Sequence, residues 1–186
     1  LKSWNERKFK GYSILNYPGK LYIRPEPFGS TLIIAPWNYP FQLSLVPLIG
    51  AVAAGNTIAL KPSENAPNTA DLINTILSKV FDPSHVKVFC GGAEIAKTLT
   101  EINFDFIFFT GSPEIGKIVY QKAALNLTPV LLELGGKSPC IVHNDADIEI
   151  ASKRICWGKF LNAGQTCIAP DYLLVHKGVR DKLCAE

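Results

Sequence analysis

No methionine occurs among the 186 residues of this chain. A reading frame starts with one, whereas this sequence opens at Leu1-Lys2-Ser3-Trp4 and closes in Asp181 to Glu186, which reads as mid-helix without a capping signal. The expectation is an internal piece of a longer protein. No Cys-x-x-Cys pair is present either, and the five cysteines (Cys90, Cys140, Cys156, Cys167, Cys184) are odd in number and widely spaced. That pattern argues against a disulfide framework and a zinc site, so no metal is expected and a reducing compartment fits better. The chain has no run of about eighteen apolar residues and no basic, apolar and small-residue leader at its start, so its visible part is expected to be soluble. Cytoplasmic or cytoplasm-facing location is the expectation, with an anchor beyond Glu186 left open.

An excess of charge of one sign is also missing. Nineteen lysines and arginines face sixteen acidic residues, for a net charge of +3 spread along the chain. The short basic stretch Arg7-Lys8-Phe9-Lys10 lacks an interleaved aromatic platform and reads as a solvated face, so no nucleic-acid partner is expected. What is present is apolar: 47% hydrophobic against 19% charged residues, the balance of a globular chain. A chain of this length can bury about 70% of its unfolded surface in one domain.

Short apolar runs alternate with helical periods. Tyr17 to Phe28 is rich in tyrosine and proline and reads as extended chain or an edge strand. Strands are then expected at Thr31 to Ala35, Thr57 to Leu60, Val86 to Phe89, Phe104 to Phe109, Val130 to Leu132 and Ser138 to Val142. Helices are expected at Phe41 to Ala54, Asp71 to Phe81, Ala93 to Thr100, Glu114 to Ala124 and Ala146 to Leu161. Alternation of this kind implies an α/β fold with a Rossmann-like parallel sheet and helices on both faces. Paired glycines at Gly135-Gly136 mark a boundary, since too few elements follow to make a domain of their own.

Ligands of open α/β sheets bind at the carboxyl ends of the strands, so the turns after Ala35, Leu60 and Phe109 are the places to search. After Phe109 comes Thr110-Gly111-Ser112-Pro113-Glu114-Ile115-Gly116, with a serine suited to a helix N-cap and a proline suited to the first helical position. Such a turn can hold a phosphate on helix N–H groups, Gly111 allowing close approach, or it can simply start a helix. Lys61-Pro62-Ser63-Glu64 sets a cation and a carboxylate three residues apart, fit to bond ribose hydroxyls, or merely begins the next helix.

Three further residues carry possible chemistry. Cys167 lies among small and polar residues in Asn162-Ala163-Gly164-Gln165-Thr166-Cys167, where backbone N–H groups would favour a thiolate. Cys90, Cys140 and Cys156 lie in or beside apolar runs and read as small core residues, and Cys184 lies in a terminal stretch without context. Glu133 stands between Leu132 and Leu134 at the end of a buried strand; a carboxylate there is either a strand-end group facing solvent or a general base with a raised pKa. Asn38, in Pro36-Trp37-Asn38-Tyr39-Pro40, could donate to an oxyanion or cap a helix.

Five motifs in one order, Pro-Trp-Asn-Tyr-Pro, Lys-Pro-Ser-Glu, Phe-Thr-Gly-Ser-Pro-Glu-Ile-Gly, Leu-Glu-Leu-Gly-Gly-Lys-Ser-Pro and Asn-Ala-Gly-Gln-Thr-Cys, resemble the aldehyde dehydrogenase superfamily from about Leu21 to His176. Trp157-Gly158-Lys159-Phe160 and Cys167 to Tyr172 resemble its class 3, fatty aldehyde dehydrogenase-like branch. Pro113, where the family often has threonine, falls in the first turn of a helix and leaves phosphate binding intact. The resemblance implies NAD(P)-dependent oxidation of an aldehyde to a carboxylic acid, with Cys167 as nucleophile, Asn38 and the Cys167 N–H holding the oxyanion, and Glu133 activating water. It implies that Lys61 and Glu64 hold the adenosine ribose, that Gly111 and Ser112 lie near the pyrophosphate, and that Trp37, Gly116 and Leu134 complete the cofactor contacts. It implies NAD, with NADP accepted as well; a medium- or long-chain aliphatic or aromatic aldehyde; and a homodimeric parent. Residues 1–134 then form the cofactor-binding domain and 135–186 an incomplete catalytic domain. Two other readings compete: a piece that binds nucleotide without turnover, and a cysteine hydrolase. The hydrolase is the weaker, because His85, His143 and His176 lie in no motif that suggests a partner for Cys167.

Overall fold

A computed structural model describes residues 2–186. It divides into two compact units, the first running through Glu133 and the second from Leu134 onward. The single-domain default set by length is therefore replaced by two units.

The first unit begins with a hairpin, β1 (Lys8–Tyr12) and β2 (Lys20–Ile23), paired antiparallel with a bulge between Phe9 and Gly11. Its strands are exposed almost throughout. The stretch read as a plain solvated face is thus a strand, and it has partners: the Arg7 guanidinium stands 3.6 Å over the Tyr22 ring, and Phe9 meets Tyr12 and Tyr22 at 5.4 Å. Contacts of this kind are worth about 0.5–1 kcal/mol each at exposed sites.

The body of the unit is a five-stranded sheet. Its strands are β3 (Ser30–Ile34), β4 (Thr57–Lys61), β5 (Val86–Val88), β6 (Phe106–Gly111) and β7 (Val130–Leu134), in the order β5-β4-β3-β6-β7. Pairing is parallel from β5 through β4 and β3 to β6, with Ile34 opposite Lys61 on one side and Phe109 on the other. Successive side chains of β3 alternate between faces, and both faces are covered, which is why the strand reads as an unbroken apolar run. Ile33 joins Leu48, Leu60, Ile73 and Leu77 beneath α1 (Gln42–Ala53) and α2 (Pro67–Val80). Leu32 and Ile34 join Ile107, Phe109, Leu99 and Val119 beneath α3 (Ala93–Thr100) and α4 (Pro113–Ala124). Chain order reverses between β3 and β6, and this is the switch point at which a doubly wound sheet opens a crevice.

The second unit is one βαβ crossover with a short helix after it. β8 (Ser138–Val142) pairs in parallel with β9 (Pro170–Val175), and α5 (Ile148–Phe160) and α6 (Arg180–Ala185) pack on them. Its core is small: Val142, Ile148 and Leu183 are buried. α5 starts where Asp147 accepts the Ile150 N–H at 3.1 Å, a side-chain cap that satisfies one of the orphan donors of the first turn. None of the five cysteines is buried, which corrects the reading of Cys90, Cys140 and Cys156 as core residues. The physical reason is periodicity: Cys156 falls on the outer side of α5, and Cys90 lies beyond the last residue of β5.

Candidate active site

Three turns leave the same end of the parallel strands β3, β4 and β6. The turn after β3 carries Trp37 and Asn38, the turn after β4 carries Pro62 to Glu64, and the end of β6 carries Gly111 and Ser112; β7, beside β6 in the strand order, ends on Glu133 and Leu134. The sheet topology therefore sets the turns that the motifs single out in this unit at one end of its parallel strands. Cys167 belongs to the second unit.

Lys61 is the last residue of β4 and only 3% exposed, and its ammonium donates to Glu64 Oε2. Burying a cation is costly unless it is paired and hydrogen-bonded. Here the pairing lies within one turn, and the turn is rigid: Pro62 and Ser63 are buried, Ser63 Oγ accepts the Asn65 N–H at 3.3 Å, and the Lys61 carbonyl accepts the Ala35 N–H at 3.0 Å. Partial burial pushes the Glu64 carboxyl up, but the Lys61 hydrogen bond, a local backbone bond and the Lys61 charge outweigh it, so the group sits below its ordinary value. A buried cation beside a carboxylate that is 41% exposed is a donor and acceptor pair suited to vicinal hydroxyls.

At β6 the strand runs on to Gly111, two residues beyond the expected end at Phe109. Gly111 is glycine for a reason the sequence did not show. A Cβ there would stand 2.5 Å from the Phe109 ring, so the position is dictated by the core as well as by any approaching ligand. Ser112 is the N-cap of α4, accepting the Ile115 N–H at 3.3 Å, and Pro113 opens the helix. The Glu114 carboxyl is held low by its own backbone N–H and then by the Ser112 hydroxyl. Gly116 is buried against the sheet on the inner side of α4. Trp37 and Leu134 are both partly exposed at 47% and 37%, and Asn38 and Tyr39 are half-buried and engaged with neighbours.

Glu133 departs from expectation. The flanking leucines suggest burial, yet Glu133 is exposed and so is Leu134. β7 is an edge strand, packed through Val130 and Leu132 against the core below α3 and α4, and the alternate residues Leu131 and Glu133 face the other way. Glu133 thus stands at a strand end reaching solvent, where a carboxylate can serve either reading.

Cys167 is exposed; it follows one tight turn and is a central residue of the next. Upstream, Asn162 (φ 54°, ψ 38°) and Ala163 (φ 56°, ψ 29°) occupy the left-handed region, followed by Gly164 at φ 79°. Left-handed geometry costs an alanine roughly 1–2 kcal/mol, and Gly164 avoids that cost only by lacking a Cβ, which would also meet the Lys159 carbonyl oxygen at 3.2 Å. Downstream, the Ala169 N–H donates to the Thr166 carbonyl at 3.1 Å, and Ala169 is buried. The motif analysis passed over two groups here. One is the side-chain pair Asn162 and Gln165, which bond across the turn. The other is Trp157, Phe160 and Ile168, large apolar side chains exposed on either side of the cysteine in sequence. An apolar residue immediately after a polar, glycine-bearing turn was the available signal.

Among the described residues, no group of three or more His, Cys, Asp and Glu side chains could hold a metal, and no helix is long and apolar enough to cross a membrane.

Comparison with known proteins bears on the same residues. The model of the aldehyde dehydrogenase family matches residues 5–186. A 4,4'-diaponeurosporen-aldehyde dehydrogenase of Staphylococcus aureus is 55% identical over 183 residues, covering 98% of this chain and 40% of that relative. A 4,4'-diapolycopene-4,4'-dial dehydrogenase of Cytobacillus firmus is 50% identical over 186 residues, 100% of this chain and 41% of its own length. Aldehyde dehydrogenase family 3 comG of Dictyostelium discoideum is 52% identical over 188 residues, 100% of this chain and 40% of its own. A solved structure described as the substrate-bound state of Staphylococcus aureus AldH superposes with a TM-score of 0.96 at 54% identity, over 99% of this chain and 40% of that one. PnpE in complex with nicotinamide adenine dinucleotide superposes with a TM-score of 0.86 at 34% identity, over 97% of this chain and 37% of that one. The chain thus spans about 40% of the length of these curated relatives. With five motifs in register, a doubly wound strand order and a family match over nearly every residue, the chain belongs to the aldehyde dehydrogenase family, and within it resembles the family 3 members.

Proposed function

We propose that these residues supply the nucleotide-binding unit and the nucleophile-bearing segment of an NAD(P)-dependent aldehyde dehydrogenase. The observation that carries this reading is the buried Lys61 paired with Glu64 at the same sheet end as the capped start of α4. The donor set fits a dinucleotide. Lys61 and Glu64 offer a donor and an acceptor to ribose hydroxyls, and the Ser112 hydroxyl with the helix dipole at the start of α4 suits a pyrophosphate. Trp37, Gly116 and Leu134 complete the contacts. When bound, the nicotinamide supplies the hydride acceptor. The Glu64 carboxylate disfavours a 2′-phosphate, while its pairing with Lys61 weakens that repulsion, so NAD is preferred and NADP is accepted.

In the chemistry we assign, the Cys167 thiolate adds to the aldehyde carbon, and Asn38 donates to the resulting oxyanion. Loss of hydride from that carbon leaves a thioester on Cys167. Glu133 takes a proton from water, the hydroxide adds to the thioester carbon, and the C–S bond breaks to release a carboxylic acid and regenerate the thiolate. A solvent-reaching carboxylate can pass the proton it takes on to bulk water. The apolar side chains of Trp157, Phe160 and Ile168 favour medium- or long-chain aliphatic or aromatic aldehydes.

Aldehyde-dependent NADH formation tests the reading, with the Glu133→Gln variant as its sharpest form. That variant is expected to give one burst of NADH and a trapped acyl-enzyme, with steady turnover reduced by about 10²-fold or more. Steady turnover at the original rate would remove Glu133 from the mechanism. The 40% span of relatives favours a second reading for these 186 residues taken alone, in which nucleotide binds without turnover. NAD titration of the chain without aldehyde separates the two.

A further inference from the structure

We propose that the left-handed turn from Asn162 to Gln165 is a strained positioning device for Cys167, in which Ala163 carries the strain and the Gln165 side chain holds the turn shut. The proposal rests on the reading of Cys167 as the nucleophile.

Three non-glycine residues among those described have positive φ, and two of them, Asn162 and Ala163, stand side by side here. The Gln165 N–H donates to the Asn162 carbonyl at 3.1 Å, closing a four-residue turn whose central residues, Ala163 and Gly164, both have positive φ. This is type I′ geometry, which favours Asn, Asp or Gly at both central positions. Gly164 meets that demand and Ala163 does not. A strained residue persists only where its surroundings over-determine it. The surroundings here are a second closure of the same turn: Gln165 Nε2 donates to the same Asn162 oxygen at 3.1 Å, and Asn162 Nδ2 reaches the Gln165 carbonyl at 3.5 Å.

Both flanks of the turn are anchored. On one side the Leu161 N–H donates to the Trp157 carbonyl at the end of α5. On the other, the Ala169 N–H donates to the Thr166 carbonyl with Ala169 buried, so Cys167 and Ile168 are themselves the central residues of the next turn. The torsions of residues 162–165 set the direction in which the chain enters that turn, and with it the placement of the Cys167 Sγ. Gln165 and Ala163 touch no reacting atom in this account. They act through the backbone that carries the thiol.

The test uses the whole protein and reads both turnover and amide hydrogen exchange. Gln165→Ala is expected to lower kcat about ten-fold with the aldehyde KM within about two-fold, and to speed exchange of the residue 165 amide by about ten-fold. Adding Ala163→Gly to that variant is expected to restore both, because glycine occupies the left-handed region without strain and the backbone bond then suffices. Ala163→Val, which leaves Gln165 intact, is expected to reproduce the loss, since a β-branched residue resists positive φ. Unchanged kcat and exchange in Gln165→Ala would overturn the proposal, and so would a loss that Ala163→Gly fails to repair. Retained turnover in Cys167→Ala would instead overturn the nucleophile reading, leaving the exchange data to judge the turn.

Discussion

The turn after β4 and the turn before β9 hold their candidate site residues by opposite means. Lys61, Pro62 and Ser63 are buried, pinned by the sheet and by the helix that follows. Asn162 to Cys167 is mostly exposed, and left-handed torsion angles and hydrogen bonds across the turn contribute to its shape. The first arrangement is rigid because its neighbours leave no room. The second is rigid only while one strained conformation is held closed. In the proposed roles, a hydroxyl-binding pair has only to stay in place, whereas a nucleophile must be accessible, and accessibility rules out burial as the means of fixing it.

The largest expected effect separates the two regions by function. Cys167→Ala should reduce aldehyde-dependent NADH formation by roughly 10⁴-fold, as loss of a nucleophile does, while NAD affinity measured by calorimetry stays unchanged. Loss of NAD affinity in that variant would show that the two turns are not separable. Next comes packing. Ile73→Ala, at a fully buried position under the Lys61 strand, should cost about 2–5 kcal/mol in urea unfolding. Ile168→Ala, at a position 79% exposed, should stay within about 0.5 kcal/mol and change the aldehyde KM instead.

Smaller still is the ion pair. Glu64→Ala leaves the buried Lys61 ammonium without its carboxylate; because Glu64 is 41% exposed and water can replace it in part, the loss should be about 1–2 kcal/mol at pH 7. The folded Glu64 carboxyl lies below its ordinary value of 4.5, so its contribution is complete above that pH and disappears as pH falls through the lowered value. The stabilities of the native chain and Glu64→Ala should therefore converge in acid, as followed by unfolding at a series of pH values. A gap that widens in acid would contradict the sign. The smallest effect belongs to the cysteine turn. Ala163→Asn should raise stability by about 0.5–1 kcal/mol, since asparagine tolerates the left-handed region, and an equal midpoint of denaturation would place the strain elsewhere.

The sheet was legible because buried parallel strands read as apolar runs, and all six strands expected between Thr31 and Val142 are present within a few residues. β9 was missed: it opens on Pro170 and follows a polar turn, and its apolar residues Leu173 and Leu174 find a partner only in β8, about thirty residues earlier. β1 was missed because its sequence, Lys-Phe-Lys-Gly-Tyr, is charged on the positions that face water, and its ring contacts are with residues of β2. Glu133 was placed in a buried strand because its neighbours are leucines; that β7 ends the sheet depends on strand order, which no local pattern encodes. The cofactor turns could be located from strand ends, but the burial of Lys61 and the clash that makes residue 111 glycine appear only in three dimensions.

The chain order of the sheet also sets a timetable. β4 and β5 lie near β3 in sequence, but β6 pairs with β3 across a separation of 75 residues, the span that also joins Ser30 to Asp105. The turns proposed to hold the nucleotide flank that pairing. During synthesis the Trp37–Asn38 turn must therefore wait, with one edge of β3 unsatisfied, until the chain has emerged through Ser112. Pairings of such long range are slow to form, so the proposed nucleotide site is a late product of folding. A dinucleotide present in solution would capture the chain only after the last of its turns arrived, acting as a latch on a finished sheet and not as a template for it.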